Sequence, residues 1–412
     1  MTNQRAHFDN LETRDPEQRE LALFNMLPGL LARTLREAPG WASHLKGIDP
    51  ASVTSREALA KLPVMRKFSL KDIQASDPPL GGFPTTNLMS LNRVFMSPGP
   101  IFEPEGHGED WWRSARALFS AGFRAGDIVM NTFAYHLTPG AWIVDAGARA
   151  LGCTVIPAGP DNTEQHLEVM AHLKPTAYVG VPDYLKILLD KAAEASKDTS
   201  SLTRALVSGG ALLPELRQEY LNRDISAFQV YATADAGTIA YESEALEGMI
   251  VDEGLILEIV RPGTGDPLPP GEVGEVVVTT FNRDYPMIRL ATGDLSAVLP
   301  GLSPCGRTNT RIRGWMGHAD QAAKVKDVFV HPQQIAWVSD RFPQLGRLRL
   351  MISLDDGQDI VVLKAEALHH EQQLAEDIAG TFGTITQVRC AVQLVPPETL
   401  PNDGKIIDDI RS

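Results

Sequence analysis

The stretch YPMIRLATGD, residues 285–294, decides how the rest of the chain is interpreted. An apolar strand ends here in Thr292, Gly293 and Asp294, which places a carboxylate on a tight glycine turn. A carboxylate held in this way accepts two hydrogen bonds from a sugar diol, which suits the ribose of a nucleotide. A TGD turn on its own is usually only a turn. The interpretation therefore depends on the sequence on both sides.

Upstream of this stretch, apolar runs alternate with segments of helical periodicity. The runs lie at 128–133, 153–157, 176–181, 204–208 and 228–232. This alternation predicts an α/β fold with a parallel sheet covered by helices on both faces. From about residue 255 the pattern changes to antiparallel strands, which predicts a small β-rich subdomain.

The two ends of the chain complete the predicted organisation. Residues 16–37 read as a helical cap that Pro28 breaks or kinks. Ser55 is expected to cap a short helix, and a second short helix is expected to start near Ser69. The mixed strands and helix after about residue 320 predict a compact α+β domain.

Composition excludes several classes of protein. The chain has 412 residues and a formal charge of -14, which argues against nucleic acid as a partner because phosphate backbones select basic surfaces. The sequence offers no signal peptide and no apolar run of membrane-spanning length, so the cytoplasm is the expected compartment and no membrane contact is expected. The three cysteines are widely spaced and contain no CxxC pair, so neither a disulfide framework nor a cysteine zinc site is indicated.

Ligands of a parallel sheet bind beyond the carboxyl ends of its strands, and distinctive residues stand at those positions here. One strand runs into Ser208, Gly209 and Gly210, where missing side chains let a flat base approach the backbone. Another ends in the segment 231–235, YATAD, which offers an aromatic ring, a hydroxyl and a metal-binding carboxylate. Near the C terminus, Lys405 lies in a polar turn from which an ammonium can be delivered to a phosphate.

Several segments, in order and over nearly the whole chain, carry a family resemblance. They are LARTLREAPGWASHL, LAKLPVMRKFSLKD, NTFAYHLTPGAW, LGCTVIPAG, SGGALLPELR, YPMIRLATGDLS, GHADQAAKVKDVFVHPQQI and LPNDGK. The chain resembles the adenylate-forming acyl- and aryl-CoA ligases, most closely the phenylacetate-CoA ligase branch. The resemblance implies a large N-terminal AMP-binding domain over 1–313 and a mobile C-terminal α+β lid domain over 314–412. It implies ATP, magnesium and CoA as cofactors, a carboxylic acid as substrate, and is compatible with a homodimer.

The resemblance also implies roles for individual residues. Lys405 and Asp235 are the expected catalytic residues, Asp235 standing where the family usually has a magnesium-binding glutamate. The expected nucleotide contacts are Ser208, Gly209, Gly210, Tyr231, Ala232, Thr233, Asp294 and His318. The expected acid pocket includes Phe133, Tyr135 and His136, and Asp320 matches the hinge about which the C-terminal domain rotates.

Two departures from the family pattern weaken the expected nucleotide contacts. At 97–104, where the family has a phosphate loop rich in serine, threonine and glycine, this chain has SPGPIFEP. Pro98 and Pro100 remove backbone N–H donors, and Glu103 places a negative charge where a positive one is expected. His318 replaces a ribose-contacting arginine and is charged only part of the time near neutral pH.

Each candidate has a simpler structural explanation. Asp294 can be a plain turn carboxylate, Lys405 a solvated surface lysine, and the two glycines only a strand-to-helix turn. Tyr135 and His136 can be core residues. A metal site of His107 with its acidic neighbours Glu103, Glu105, Glu109 and Asp110 is less expected than a solvated acidic loop.

Three functions stay open at this point. The first is activation of an aromatic or related carboxylic acid through an acyl-adenylate, followed by transfer to CoA. The second is adenylation with an acceptor other than CoA. The third is a catalytically degenerate protein that only binds an acyl acid or a nucleotide, which the altered segment 97–104 favours. Retention of Lys405 favours the enzymes.

Overall fold

The computed structural model describes residues 6–319, 323–325, 328–355, 358–403 and 405–411, which form two compact units. The first unit contains the described residues up to Leu257, with Val278–Leu290 and Leu299–Gly314. The second contains Glu258–Val277, Ala291–Val298 and the described residues from Trp315 onward. The predicted domain boundary at 313 and the mobility of the last domain stay predictions. The predicted hinge residue, Asp320, lies outside the described residues.

The α-helices of the first unit lie at its N terminus and between its strands. They are α1 Pro16–Glu37, α2 Pro39–His44, α3 Arg56–Leu59, α4 Lys67–Ser76, α5 Ala115–Ser120, α6 Gly140–Ala150, α7 Thr163–Leu173, α8 Pro182–Glu194 and α9 Pro214–Leu221. Short 3-10 helices occur at Asn10–Thr13, Pro50–Ser52 and Leu88–Ser90.

In helix α1, tertiary packing overrides the helix-breaking tendency of an internal proline. Asp15 caps it by accepting hydrogen bonds from two backbone N–H groups of the first turn. Pro28 lies inside the helix, which continues unbroken to Glu37, so the predicted break at this proline is absent. A buried face that runs through both halves of the helix holds it together. This face includes Leu23, Phe24, Leu27 and Leu31.

The strands before residue 313 are short, as the sequence pattern predicts. They are β1 Met65–Arg66, β2 Arg93–Ser97, β3 Ile101–Glu105, β4 Ile128–Asn131, β5 Thr154–Pro157, β6 Ala177–Gly180, β7 Arg204–Val207, β8 Ser226–Thr233, β9 Gly237–Glu242, β10 Met249–Val251, β11 Leu255–Val260, β12 Gly274–Thr280, β13 Leu290–Ser296, β14 Val298–Leu299 and β15 Arg311–Ile312.

The main sheet of the first unit confirms the predicted α/β class. Strands β5, β4, β6, β7 and β8 are parallel and lie in this order, and β9, β10 and β15 continue the sheet antiparallel. Gly180 pairs with Val207, and Val207 pairs with Gln229, so the carboxyl ends of three strands meet at one edge. Ligand sites of parallel sheets lie at such an edge.

Separate apolar cores cover the two faces of this sheet. Neighbouring strand residues belong to different cores because successive side chains point to opposite faces. One core contains Val129, Val179 and Leu206, and the other contains Met130, Tyr178 and Val207. Strands buried on both faces explain why the sequence showed continuous apolar runs rather than alternation.

The segment expected to be a phosphate loop forms the turn and second strand of a hairpin. Strands β2 and β3 pair antiparallel, from Arg93 opposite Glu105 to Ser97 opposite Ile101. Residues 98–100 make the turn. The side-chain amide of Gln74, on α4, both accepts from the backbone N–H of Phe102 and donates to its carbonyl, each at 2.8 Å. The hairpin is therefore fixed to α4 by backbone contacts.

The second unit contains two groups of strands. The parts of β13, β12 and β11 that belong to it lie side by side in this order, which confirms the predicted small β-rich part. Its later elements are β16 Ala323–Val325, β17 Val328–Val330, α10 Pro332–Arg341, β18 Leu348–Asp355, β19 Gln358–Glu366, α11 Gln372–Thr386, β20 Ala391–Val395 and β21 Ile407–Asp409.

The later elements build the predicted α+β arrangement. Strands β20, β19, β18 and β21 form a mixed sheet in this order. Helices α10 and α11 contribute Ile335, Val338, Ile378 and Phe382 to one apolar core with Leu350 and Leu363 of the sheet. No helix within the described residues is both long enough and apolar enough to cross a membrane.

We predict that Gly237→Ala destabilises the chain more than Gly122→Ala does. Both glycines have left-handed φ angles, +71° and +89°, so each substitution carries a backbone cost of about 1 kcal/mol. A Cβ on Gly237 would also lie 2.7 Å from the carbonyl oxygen of Trp112, whereas a Cβ on Gly122 would meet nothing within 4 Å. The clash adds roughly 1–3 kcal/mol. Urea unfolding of both variants measures the difference, and equal shifts of the midpoint would contradict the packing argument.

Candidate functional site

The glycines after β7 lie against the segment expected to line the acid pocket. Ser208 donates its backbone N–H to the carbonyl of Gly180 at 3.2 Å, which fixes the start of the turn. Gly209 and Gly210 are exposed. A Cβ built on Gly209 would lie 3.9 Å from Cε1 of Phe133 and 3.8 Å from the Val181 side chain. The structure thus places a residue of the predicted nucleotide wall beside a ring of the predicted acid pocket.

Tyr135 is held by polar contacts within the same unit. Asn131 donates its amide to the Tyr135 hydroxyl at 2.9 Å, and that hydroxyl donates to Asp145 at 3.2 Å. Burial, followed by the charge of Asp145, raises the pKa of Tyr135 above its ordinary value, so the phenol stays neutral. His136 is exposed. The segment therefore presents Phe133 beside the glycines and uses Tyr135 to fix its own conformation.

An aromatic group that sequence reasoning missed lies beside this segment. The ring of Trp142 makes an edge contact with Tyr135, with centroids 5.1 Å apart, and its indole N–H donates to the Tyr135 carbonyl. The guanidinium of Arg93 lies 4.0 Å from the Trp142 centroid, and Arg93 also pairs with Glu105 at 2.7 Å. Phe95 lies between Trp112 and Trp142, with ring centroids 5.9 and 6.5 Å away. The hairpin therefore packs against the acid-pocket segment through aromatic and cation–π contacts.

Strand β8 ends at Thr233, and the turn after it leads to Asp235. Tyr231 is buried, and Ala232 and Thr233 are partly exposed. The ladder is irregular between Tyr231 and Ala232, and the Thr233 hydroxyl accepts from the backbone N–H of Ala236 at 3.2 Å. This turn carries Asp235 into the interior, where its side chain has no exposed surface.

Asp235 is paired with a cation that the sequence did not identify. The ammonium of Lys67, at the start of α4, lies 2.6 Å from Oδ2 of Asp235. Its side chain is 25% exposed, so the ion pair is closed on the Asp235 side and reaches solvent on the other. The two residues are far apart in the sequence, and no local motif connects them.

Glu103 is buried beside this pair, which corrects the expectation of a solvated acidic loop. Both Glu103 and Glu105 are buried on β3. The Ser97 hydroxyl donates to Glu103 across the hairpin. Burial, followed by the nearby Asp235 carboxylate, raises the pKa of Glu103 to about 8, against the opposing effects of Ser97 and Lys67. Glu103 therefore carries a proton at neutral pH.

Tyr285, the first residue of the stretch that opened the sequence analysis, completes the group. It is 1% exposed, and within the described residues its hydroxyl makes no hydrogen bond. Burial, followed by the charges of Asp235 and Glu103, raises its pKa well above the ordinary value. We call Lys67, Glu103, Asp235 and Tyr285 the Asp235 cluster.

The Asp235 cluster does not fit a magnesium ion as it stands. Magnesium requires an octahedron of oxygen ligands and gives up its waters reluctantly. Here an ammonium occupies Oδ2 of Asp235, and a cation cannot share that position. Among the described residues, no group of three or more histidine, cysteine or acidic side chains could hold a metal, which includes the acidic residues around His107.

Asp294 lies in the second unit, together with His318. The TGD triplet continues strand β13 instead of ending it in a turn, which corrects that expectation, and Gly293 has a left-handed φ of +83° within the strand. Asp294 bridges antiparallel to His318, whose Nδ1 lies 3.2 Å from Oδ1 of Asp294. The indole N–H of Trp315 donates to the same oxygen at 2.9 Å. Two predicted ribose contacts are thus brought together, and sequence reasoning missed the contact of Trp315 with Asp294.

Lys405 is exposed in the second unit. Its ammonium lies 3.3 Å from Asp408, and half of its side chain is accessible. It lines a cavity of about 760 Å³ within this unit, together with Glu272, Arg347, Glu366 and Asn402. The exposed ammonium is available to a ligand, because a surface ion pair of this kind contributes little to the stability of the fold and is easily exchanged.

Comparison with known proteins shows similarity to enzymes that bind AMP. A family profile described as AMP-binding enzyme matches residues 110–282, which contain the main sheet and Asp235. The phenylacetate-coenzyme A ligase of Aromatoleum evansii is 28% identical over 381 residues, which cover 86% of this chain and 85% of the relative. The chain contains an AMP-binding enzyme domain and is similar to phenylacetate-coenzyme A ligases over most of its length.

Other relatives resemble this chain over nearly its whole length. The phenylacetate-coenzyme A ligase of Thermus thermophilus is 26% identical over 436 residues, covering 96% of this chain and 97% of the relative. A crystal structure of 2-hydroxyisobutyryl-CoA ligase with 2-HIB-AMP and CoA has a TM-score of 0.73 at 23% identity, covering 100% of this chain and 94% of that one. The fold is shared, and the chain is an acid–thiol ligase of the AMP-forming class.

We predict that Glu103→Gln makes the free energy of unfolding less sensitive to rising pH. The unfolded chain loses the Glu103 proton near its ordinary pKa of 4.5, whereas the folded chain holds it until about pH 8. The folded state therefore binds more protons in this window, and its free energy of unfolding falls by roughly 1 kcal/mol per pH unit. Glutamine keeps the neutral shape and has no proton to lose. Urea unfolding should give similar stabilities at pH 5 and a more stable variant at pH 8.

The exposed Glu168→Gln serves as the matched control for replacing a carboxyl by an amide. A stability difference between wild type and Glu103→Gln that stays constant from pH 5 to pH 8 would show that Glu103 does not hold a proton in the folded chain.

Proposed function

We propose that this protein activates an aromatic carboxylic acid, such as phenylacetate, with ATP and transfers the acyl group to CoA. The observation that carries this proposal is the position of Phe133 beside Gly209 at the carboxyl ends of the main-sheet strands, where a Cβ built on Gly209 would lie 3.9 Å from Cε1 of Phe133. An acid bound beside Phe133 and a nucleotide bound along Gly209 would be neighbours. Attack of the acid's carboxylate on the α-phosphate requires this closeness.

The reaction has two steps that share one acyl carbon. In the first, a carboxylate oxygen attacks the α-phosphorus of ATP, and the bond from that phosphorus to pyrophosphate breaks. In the second, the sulfur of the thiol attacks the carbonyl carbon, the bond to AMP breaks, and the thiol loses its proton. Catalysis of the first step is mostly positioning and neutralisation of charge.

We assign the ribose of ATP to Asp294. Trp315 and His318 both contact one oxygen of this carboxylate, so its orientation is fixed before a nucleotide binds. A preorganised acceptor loses less conformational freedom on binding than a free side chain does. His318 can also donate to a ribose oxygen, although its charge depends on pH, unlike that of arginine.

We assign the α-phosphate and the acid carboxylate to Lys405. Its ammonium is exposed and lies 3.3 Å from the surface carboxylate of Asp408. A point charge on a flexible stem can leave such a partner for a developing phosphate charge. Rotation of the predicted C-terminal domain about Asp320 would deliver Lys405 for the first step and withdraw it for the second.

The identity of the acid rests on the aromatic residues beside the predicted acid-pocket segment and on the relatives. Trp142 contacts Tyr135 of this segment, and Phe95 lies next to Trp142. Flat side chains of this kind favour a flat substrate by stacking or edge contacts. Two relatives named phenylacetate-coenzyme A ligase support phenylacetate within this class. CoA as acceptor is supported by the neighbouring structure that holds 2-HIB-AMP and CoA.

One observation favours a second function, in which the fold only binds an acid or a nucleotide. The turn of the hairpin contains two prolines, and Glu103 beneath it is buried next to Asp235. A phosphate loop works through free backbone N–H groups and positive charge, and this turn supplies few of the former and none of the latter. A protein with this function would show no turnover.

We predict that Lys405→Ala separates the two steps. Pyrophosphate release from ATP that depends on phenylacetate should fall about 100-fold or more, because a charge that stabilises the transition state is lost. Formation of phenylacetyl-CoA from synthetic phenylacetyl-adenylate should be nearly unchanged. A coupled pyrophosphate assay and chromatography of the thioester measure the two quantities.

The matched control is Lys197→Ala, an exposed lysine that precedes the amino end of β7 and so lies away from the strand ends that form the site. It should leave both steps unchanged. Equal losses in both steps for Lys405→Ala would contradict its assigned role, and no pyrophosphate release with any aryl or short acyl acid would favour the binding function. Release without thioester formation would indicate another acceptor.

A further inference from the structure

The environment of Asp235 resembles a cation site whose cation is already part of the chain. Its carboxylate has no exposed surface, and apart from the Lys67 ammonium at 2.6 Å the described residues offer neither oxygen a hydrogen bond. A carboxylate without hydrogen bonds in the interior is costly unless a positive charge compensates it. Lys67 supplies that charge.

Two other members of the Asp235 cluster also have buried oxygen atoms without hydrogen bonds. One carboxyl oxygen of Glu103 is buried and makes no hydrogen bond within the described residues, and the same holds for the Tyr285 hydroxyl. Both groups interact electrostatically with Asp235. The cation in these interactions is the Lys67 ammonium.

We propose that Lys67 is the resident cation of Asp235, so that this chain holds no divalent metal at Asp235 while Lys67 is in place. The proposal rests on the proposed function only in that Asp235 was expected to bind magnesium there. Lys67 acts by occupying the carboxylate directly, and it links helix α4 to the turn after β8.

The position of Lys67 makes it suited to this role. It is the first residue of α4, and its side chain keeps a quarter of its surface accessible to solvent. The same helix holds the β2–β3 hairpin through Gln74. One short helix thus places an ammonium on Asp235 and the hairpin that carries Glu103 beside it. A hydrated divalent ion would have to lose water and displace the ammonium, and both steps oppose binding.

Manganese binding in the absence of ATP and acid tests the proposal directly. Mn²⁺ prefers the same oxygen ligands as magnesium and is detected by electron paramagnetic resonance. We expect no ordered Mn²⁺ site that depends on Asp235 in the wild type. In Lys67→Met, one Mn²⁺ per chain should bind at least about tenfold more tightly than in the wild type, because the Asp235 carboxylate loses its compensating charge. Adding Asp235→Asn to Lys67→Met should abolish this site.

The matched control is Lys71→Met, which removes an exposed ammonium from the same helix and should leave Mn²⁺ binding as in the wild type. A wild-type Mn²⁺ site that Asp235→Asn removes would overturn the proposal, and so would a Lys67→Met protein that folds and gains no site.

If Lys67→Met fails to fold, a second measurement still tests the proposal. The double variant Lys67→Met with Asp235→Asn removes both charges and should recover the far-ultraviolet circular dichroism and thermal transition of the wild type. A double variant that remains unfolded would contradict the compensating role of Lys67. Because these measurements use no ATP, acid or CoA, a failure to detect ligase activity leaves their outcome unaffected.

Discussion

The pairing of the buried Asp235 carboxylate with the Lys67 ammonium is the constraint on which this part of the first unit depends. Asp235 follows β8, Lys67 begins α4, and Glu103 lies on the hairpin that α4 holds. Separating α4 from the turn after β8 would leave an uncompensated charge in the interior, which is strongly destabilising. The ion pair therefore holds α4 and the turn after β8 together.

This arrangement explains how a chain with an altered segment at 97–104 keeps the fold of its structural relatives. The hairpin at 93–105 is fixed by Gln74, by the aromatic contacts of Phe95 and by the buried, protonated Glu103, and none of these interactions needs a phosphate. The features expected to contact ribose and α-phosphate, Asp294 and Lys405, belong to the second unit. Recognition of ATP by this chain would then depend more on the ribose and the lysine than on the loop.

The sequence predicted the parallel strands of the main sheet, but it did not predict which charged residues are buried or paired. Five apolar runs predicted the parallel strands because burial on both faces leaves a continuous signal. The break at Pro28 was wrong because a buried helix face spans the proline. Glu103 was misjudged because it was grouped with the acidic residues around His107, whereas it interacts in the folded chain with Asp235 and Tyr285. Lys67 could not be found, since an ion pair between distant segments leaves no spacing to detect. The roles of the site residues stay predictions.

Isotope transfer tests the central claim, adenylation of a carboxylic acid, most directly. The enzyme is incubated with ATP, CoA and phenylacetate labelled with ¹⁸O in both carboxyl oxygens, and the nucleotide products are analysed by mass spectrometry. Attack of a carboxylate oxygen on the α-phosphorus, followed by thiolysis at the carbonyl carbon, leaves one labelled oxygen in AMP. Our account predicts that label. Label in inorganic phosphate with formation of ADP, or unlabelled AMP, would contradict it.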